Sequence, residues 1–254
     1  MKKKRVFIFL LIIVFLTFLS IFYPKLTGKS VEKNELRYER EKINLTEVID
    51  GDTFDSSVGR VRLLGVNTPE KNMLFYEEAK SFLLHFRGKN AEVLREKEDE
   101  DKYGRKLRYL FYEDRLINVE ILEQGLGHLY VYDDIFYLDK LERAEEFARK
   151  NEVGIWKKSS KSSCLRLIEL RKEEPERLVL ENSCEKMNVI VKDDATHIYK
   201  IELEKGRFEK NFSRIWNDDE DTLYIWDEEG LLVWERYGVR RMKISSFLIL
   251  QVLF

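Results

Sequence analysis

The sequence predicts an α+β chain. A five-stranded barrel with helices is followed by an all-β, immunoglobulin-like sandwich and preceded by a membrane-spanning helix. Three observations lead to this order. Short segments that alternate apolar and polar residues are interleaved with helical repeats over residues 43–156. Further strand-like segments recur between turn residues over residues 164–238, and an apolar run without charged residues fills residues 6–23. Alternation of period two is typical of half-buried strands, whereas apolar residues every three or four positions are typical of helices.

The predicted barrel occupies residues 43–156. Alternation predicts strands at residues 43–49, 53–58, 60–66, 90–96 and 106–112. Helical spacing predicts helices at residues 75–86, 116–124 and 138–150. Five short strands with helices between and after them fit an OB-fold, which is a five-stranded, partly open barrel.

The N-terminus predicts a membrane anchor. The basic residues Lys2–Arg5 precede an apolar run of 18 residues, Val6–Tyr23. As a helix this run spans about 27 Å, close to the ~30 Å hydrocarbon core of a bilayer. The run exceeds a usual signal-peptide core and no small-residue cleavage site follows. These features favour an uncleaved anchor, with secretion after cleavage as the alternative. Positive charges stay in the cytoplasm, so the domains beyond the polar tether at 24–42 are expected outside it.

The C-terminal part predicts a second domain. Residues 157–163 read KKSSKSS and are predicted to be a linker. Beyond it, turn signals separate short apolar runs, as in a β-sandwich. The predicted strands are residues 165–170, 178–181, 188–191, 198–203, 222–226 and 231–235. Segments 176–182, 189–201 and 215–233 resemble a lamin-tail domain, which implies an unidentified protein or surface partner. The apolar tail at 239–254 has no assigned role.

The two cysteines, Cys164 and Cys184, both lie in the predicted sandwich. A structural zinc site needs more Cys or His ligands than this pair supplies. Outside the cytoplasm such a pair can form a disulfide, which is the expected state. Two free core thiols are the alternative.

Three short motifs carry the candidate chemistry, each combining a turn with charged or polar residues. With the residues that they supply, they are VIDGDT at 48–53 (Asp50, Asp52), RLLGVNTPE at 62–70 (Arg62, Asn67, Thr68, Glu70) and DKYGR at 101–105 (Tyr103, Arg105). Oxygen ligands suit a hard cation, a carboxylate can activate water, and guanidinium groups fork onto phosphate oxygens. Together the motifs predict metal-assisted cleavage of a phosphate diester, although each alone fits a plain hairpin turn or helix start.

In this order, the three motifs resemble the staphylococcal nuclease (thermonuclease) family. The resemblance runs from about residue 43 to residue 156 and includes LINVEILEQGLGHLYVY at 116–132 and GIW at 154–156. It implies an OB-fold nuclease that hydrolyses phosphodiester bonds of DNA and RNA with little sequence preference. It also implies calcium dependence and products with 3′-phosphate ends.

The resemblance implies a ligand set for one Ca²⁺. The side chains of Asp52 and Asn67 and the carbonyl of Thr68 are the expected ligands, with Asp50 close by. The family pattern has Asp where this chain has Asn67. The amide keeps a ligand oxygen but loses a charge, and calcium affinity depends on the number of charged ligands. Weaker calcium binding is therefore expected.

The resemblance also implies catalytic roles. Glu70 is expected to orient or deprotonate the attacking water, while Arg62 and Arg105 clamp the scissile phosphate. Tyr103 and Tyr132 are candidate contacts to sugar, base or phosphate, with core or rim packing as the alternative.

The charge of the predicted barrel limits how it can bind nucleic acid. Residues 43–156 hold 24 acidic and 17 basic side chains. Tight nucleic-acid binders are usually basic because phosphate neutralisation dominates affinity. This argues against long-lived binding but allows catalysis, where a cation and two arginines concentrate positive charge. The alternative is a catalytically inactive OB-fold module that binds nucleic acid or protein at the cell surface. The presence of Glu70 favours the enzyme, because binding needs no base.

Overall fold

The computed structural model describes residues 38–131, 135–217 and 220–238. Several predictions concern positions outside the described residues: the anchor at 6–23, the tether up to residue 37, Tyr132 and the tail at 239–254. In the described part of the chain, no helix is long and apolar enough to cross a membrane. The described residues from Lys42 onward form one compact unit.

The N-terminal part of the compact unit mixes strands and helices. In chain order its elements are β1 (Glu41–Val48), β2 (Thr53–Ser56), β3 (Gly59–Leu63), β4 (Gly65–Asn67), α1 (Tyr76–Leu84), β5 (Asn90–Glu100), β6 (Lys106–Tyr112), β7 (Arg115–Leu116), α2 (Ile117–Glu123), β8 (His128–Tyr130) and α3 (Leu138–Lys150), followed by a 3₁₀ turn at Gly154–Trp156.

Five of these strands close into a barrel. The sheet order is β3-β2-β1-β5-β6-β7, and a parallel pairing of β3 with β6 joins its two sides. The inward side chains are fully or almost fully buried: Leu45, Phe54, Val61, Val93 and Leu110. The predicted five-stranded OB-fold with three helices is therefore confirmed.

One predicted strand, at residues 60–66, is wrong in detail. It divides into β3 and β4 because the chain turns at Gly65, whose φ is +73°. A side chain at Gly65 would also collide with Leu141, because a Cβ there would lie 2.6 Å from Leu141 Cδ1. The turn redirects the chain so that β4 leaves the barrel and pairs with β8, which the sequence did not predict.

The C-terminal part is all-β. Its strands are β9 (Leu165–Arg171), β10 (Glu176–Asn182), β11 (Met187–Lys192), β12 (Ile198–Leu203), β13 (Gly206–Phe212), β14 (Asp221–Trp226) and β15 (Leu231–Tyr237). They form two antiparallel sheets with the orders β13-β10-β9 and β12-β11-β14-β15. Both sheets contribute to one apolar core that includes Leu178, Leu180, Val191, Leu203 and Leu223. The two-sheet arrangement agrees with the expected sandwich, whereas its likeness to an immunoglobulin or lamin-tail domain stays a prediction. Cys164 and Cys184 are joined by a disulfide at the end of this core, with their Cα atoms 5.3 Å apart.

The sandwich packs closely against the barrel domain. Trp156, Tyr224, Trp226 and Leu231 are buried together in a second apolar cluster. The indole Nε1 of Trp226 donates to the carbonyl of Ile155 at 2.9 Å. Large buried aromatic surfaces of this kind give a stable interface, so the two domains are held in a fixed arrangement.

The segment at residues 157–163 takes part in this packing. The amide of Ser159 donates to the Leu231 carbonyl at 3.0 Å, and the amide of Leu231 donates to the Lys157 carbonyl at 2.8 Å. The hydroxyl of Ser159 donates to Asp227 Oδ2 at 2.7 Å. The predicted linker is thus bonded to the turn between β14 and β15.

Candidate active site at the junction of the barrel and the sandwich

The first motif forms a tight turn between β1 and β2. The amide of Asp52 donates to Asp50 Oδ1 at 3.0 Å, which closes the turn. Gly51 leaves no room for a side chain, because a Cβ there would lie 2.6 Å from Ala79 Cβ and 2.8 Å from Thr68 Oγ1. The glycine therefore lets the turn pack directly on α1 and on the second motif.

The carboxylate of Asp52 joins the first two motifs. Its Oδ2 accepts from the amide and the hydroxyl of Thr68, both at 2.8 Å. Its Oδ1 accepts from the hydroxyl of Thr53 at 3.0 Å and pairs with Arg62 Nη1 at 2.9 Å. All four residues are buried. Charge-assisted bonds of this kind are stronger than neutral ones, so Asp52 fixes the positions of Arg62 and Thr68.

Asp50 lies beside this pair and titrates unusually. Burial, and then the nearby charge of Asp52, raise the pKa of Asp50 from 3.8 to about 6. Two carboxyl groups this close repel each other when both are ionised, and partial burial strengthens the repulsion. A cation bound beside them would offset it.

The donor atoms here fit a hard cation. Among the described residues, no three or more His, Cys, Asp or Glu side chains cluster as a ready-made metal centre. A cation at this place would therefore use the two carboxylates together with neutral oxygens, such as the Thr68 carbonyl. Calcium accepts mixed sets of carboxylate and carbonyl oxygens.

Asn67 connects the barrel site to the sandwich. Its Oδ1 accepts from Arg62 Nη2 at 3.0 Å. Its Nδ2 donates to the carbonyls of Asp194 and Ala195, at 2.9 and 3.2 Å. In the β4–β8 ladder Asn67 lies opposite His128, whose Nε2 is 2.9 Å from the same Asp194 carbonyl. Burial holds the pKa of His128 well below its usual range. The ring is therefore neutral, and because a carbonyl can only accept, Nε2 carries the proton.

The remaining predicted residues lie on the solvent side. Glu70 is exposed. Arg105 pairs with Asp101 at 2.6 Å and lies 5.3 Å from the ring centroid of Tyr103, which is 71% exposed. Arg105 directly precedes β6, whose parallel register places Leu107 opposite Arg62. Arg62 in β3 and Arg105 in the loop before β6 are therefore contributed by neighbouring parts of the barrel.

The structure brings Asp50, Asp52, Arg62, Asn67 and Thr68 into one connected cluster. It places Glu70 and Arg105 at the exposed margin, and Tyr132 is outside the described residues. The calcium, catalytic and substrate roles expected of these residues stay predictions.

Sequence reasoning missed three residues that border this cluster, His128, Lys192 and Asp194. His128 lies in the predicted barrel but outside the three motifs, and the other two lie in the predicted sandwich. No local motif marks them, because their contacts exist only after the sandwich has docked.

Sequence comparisons with known proteins match the part of the chain that contains the barrel. The sequence model described as "Staphylococcal nuclease homologue" matches residues 60–158. The thermonuclease of Staphylococcus intermedius is 30% identical over 139 residues, which covers 50% of this chain and 83% of that protein. The thermonuclease of Staphylococcus hyicus is 25% identical over 159 residues, covering 58% of this chain and 94% of that protein. An uncharacterised endonuclease of Haemophilus influenzae is 30% identical over 152 residues, covering 56% and 78%.

The raised pKa of Asp50 predicts a pH-dependent effect of Asp50→Asn. Between pH 3.8 and about 6, the folded protein holds a proton that the unfolded chain has lost. The stability contribution of this group is therefore present below pH 3.8 and lost as pH rises to about 6. In chelator above pH 6, we expect Asp50→Asn to be more stable than wild type by roughly 1–3 kcal/mol.

Urea unfolding at a series of pH values measures this difference. The gain should shrink towards zero as pH falls to 3.8. Asp55→Asn is the control and should show no such gain, because Arg60 lowers the pKa of Asp55. A difference between wild type and Asp50→Asn that is constant with pH would contradict the assignment.

Proposed function

Because the chain belongs to the staphylococcal nuclease family, we propose that it is a nuclease that uses Ca²⁺ to hydrolyse phosphodiester bonds of DNA and RNA. The observation that carries the proposal is the buried cluster in which Asp52 holds both Arg62 and Thr68 in place, with Glu70 exposed beside it. A binding module has no need of a carboxylate base or of a guanidinium held in advance of substrate.

Calcium would be held by the carboxylates of Asp50 and Asp52, the Thr68 carbonyl and the Oδ1 of Asn67. Bound there, it would supply positive charge against the phosphate, which compensates for the acidic barrel. Asn67 is the neutral member of the set, so the site depends strongly on its two aspartates.

The protein's own residues divide the remaining work. Asp52 and Asn67 hold two nitrogens of the Arg62 guanidinium, which fixes the direction in which the group can donate to a phosphate oxygen. Preorganised donors stabilise developing charge without reorganisation during the reaction. Arg105 starts from an ion pair with Asp101 in an exposed loop, so it can exchange this partner for phosphate at the surface.

Glu70 is suited to be the base. Its exposed carboxylate can take a proton from a water whose oxygen bonds to phosphorus, while the bond from phosphorus to the 5′ oxygen breaks. The 5′ oxygen leaves with that electron pair and takes a proton from solvent, so the products are a 5′-hydroxyl and a 3′-phosphate. The exposed ring of Tyr103, beside Arg105, is positioned for contact with sugar or base. Contacts restricted to phosphate and stacking carry little sequence information, in keeping with low sequence preference.

The cellular setting is part of the proposal. Residues 6–23 would anchor the enzyme with its domains outside the cytoplasm, or would be removed on secretion. Calcium is abundant outside cells, which would suit a site with a neutral ligand.

Metal removal tests the proposal most simply. The purified full chain should degrade plasmid DNA with calcium and stop in excess EGTA, and restored calcium should restore activity. Undiminished cleavage in EGTA would exclude calcium as the cofactor. No cleavage under any metal condition would favour the inactive binding module.

Substitutions separate the roles of Glu70 and Arg105. Glu70→Gln should lower kcat and spare substrate binding, because it keeps the shape and removes the base. Arg105→Ala should lower the rate by about 10²–10³, as expected for loss of a donor that stabilises charge in the transition state.

Two matched substitutions control for surface charge. Glu77→Gln removes an acidic residue from the first turn of α1, and Arg115→Ala removes an arginine paired with Glu120. Both should retain wild-type rates. A wild-type rate in Glu70→Gln or Arg105→Ala would remove that residue from the mechanism.

A further inference from the structure

A loop of the sandwich contacts the candidate active site. This segment connects β11 to β12, comprises residues 193–197, and is called the β11–β12 loop below. Two of its backbone carbonyls, those of Asp194 and Ala195, point at the barrel and receive every hydrogen bond that Asn67 Nδ2 makes to the sandwich. The same Asp194 carbonyl accepts from His128 Nε2 at 2.9 Å.

The loop is braced in this position from its own side. The buried Lys192 donates from Nζ to the carbonyls of Asp193 and Ala195, at 2.9 and 2.5 Å. The Asp194 carboxylate accepts from the hydroxyls of Tyr224 and Thr222, at 2.9 and 3.0 Å. A loop tied by both its backbone and its side chains presents its carbonyls in one fixed geometry.

The surrounding interface keeps the loop against the barrel. Tyr224 packs against both His128 and Trp156, with ring centroids 5.0 and 5.9 Å apart. Arg236 of β15 pairs with Glu145 of α3 at 3.2 Å. Loops and lids that open during function make few buried apolar contacts. This interface is apolar at its centre, so the loop is a constant part of the site.

The side chain of Asn67 makes hydrogen bonds of opposite direction on its two sides. Towards the barrel it must accept from Arg62, and towards the loop it must donate to two carbonyls. A carboxamide does both, whereas a carboxylate only accepts. Aspartate at this position would set its oxygens against the carbonyl oxygens of Asp194 and Ala195. The docked loop therefore suits an amide, and not a carboxylate, at this position.

We propose that the β11–β12 loop is a wall of the nuclease site, and that Asn67 is a positioning residue through which the sandwich orients Arg62. The inference rests on the proposed nuclease function. The loop fixes the Nδ2 end of the amide, so Oδ1 faces Arg62 and holds the second nitrogen of its guanidinium. The C-terminal domain thereby contributes to catalysis without touching substrate.

The test compares Asn67→Asp and Asp194→Ala in the full chain. Asn67→Asp adds a charge that would favour calcium, yet it cannot donate to the loop. At saturating calcium we expect kcat to fall by at least about tenfold with KM changed less than about threefold, because a small misplacement of a charge donor weakens transition-state contacts. Asp194→Ala removes the carboxylate that ties the loop to Tyr224 and Thr222. It should therefore also lower kcat, although Asp194 lies outside the barrel. Lys205→Ala, in the exposed turn between β12 and β13, is the control and should match wild type.

Hydrogen exchange gives a readout that does not need activity. The amides of residues 193–197 should exchange faster in Asn67→Asp than in wild type, because the loop loses its hydrogen bonds to the barrel. Unchanged exchange, or an Asn67→Asp enzyme as fast as wild type at saturating calcium, would overturn the proposal. A rate increase in Asp194→Ala would also overturn it and would indicate that the loop inhibits. An inactive wild-type chain would instead refute the nuclease function itself. The exchange measurement would then still show whether Asn67 holds the β11–β12 loop against the barrel.

Discussion

The carboxylate of Asp52 is the point on which the site depends. Its two oxygens accept from Thr53, Arg62 and Thr68, and this ties the turn after β1 to the end of β3 and the segment beyond β4. Removal of one partner from a buried charged network leaves the other charge uncompensated. The turn can approach closely because Gly51 has no side chain. Local chain geometry and site electrostatics are thus set by the same few residues.

The second constraint is the fixed docking of two domains. The cluster of Trp156, Tyr224 and Trp226 joins α3 and the 3₁₀ turn of the barrel domain to β14 of the sandwich. Docking brings the β11–β12 loop to Asn67, which in turn contacts Arg62. A domain that looks separate in sequence therefore reaches the group proposed to bind phosphate.

Much of this molecule could be predicted from sequence, and the exceptions have physical reasons. The helix Leu138–Lys150 and the strand Lys106–Tyr112 have the predicted bounds, because their apolar periodicity is strong. The strand β13 was missed because it is a sheet edge whose side chains are mostly polar and exposed, with Phe212 as its buried residue.

Some contacts of the candidate site could be predicted from the sequence and others could not. Asp50, Asp52, Arg62 and Thr68 lie within a short stretch of chain, so their association could be inferred from motif order. The contact of Asn67 with Asp194 joins residues far apart in sequence and depends on tertiary docking. From sequence alone Asn67 is a weakened calcium ligand, whereas in the structure its amide nitrogen has a partner that only an amide can satisfy.

The chemical ends of the products test the central claim most directly. A single-stranded DNA oligonucleotide digested with the full chain and calcium should yield fragments with 5′-hydroxyl and 3′-phosphate ends. Such fragments accept a labelled phosphate from a kinase without prior phosphatase treatment, because the 5′ oxygen is the leaving group. Fragments with 5′-phosphates, or an intact oligonucleotide, would contradict the account.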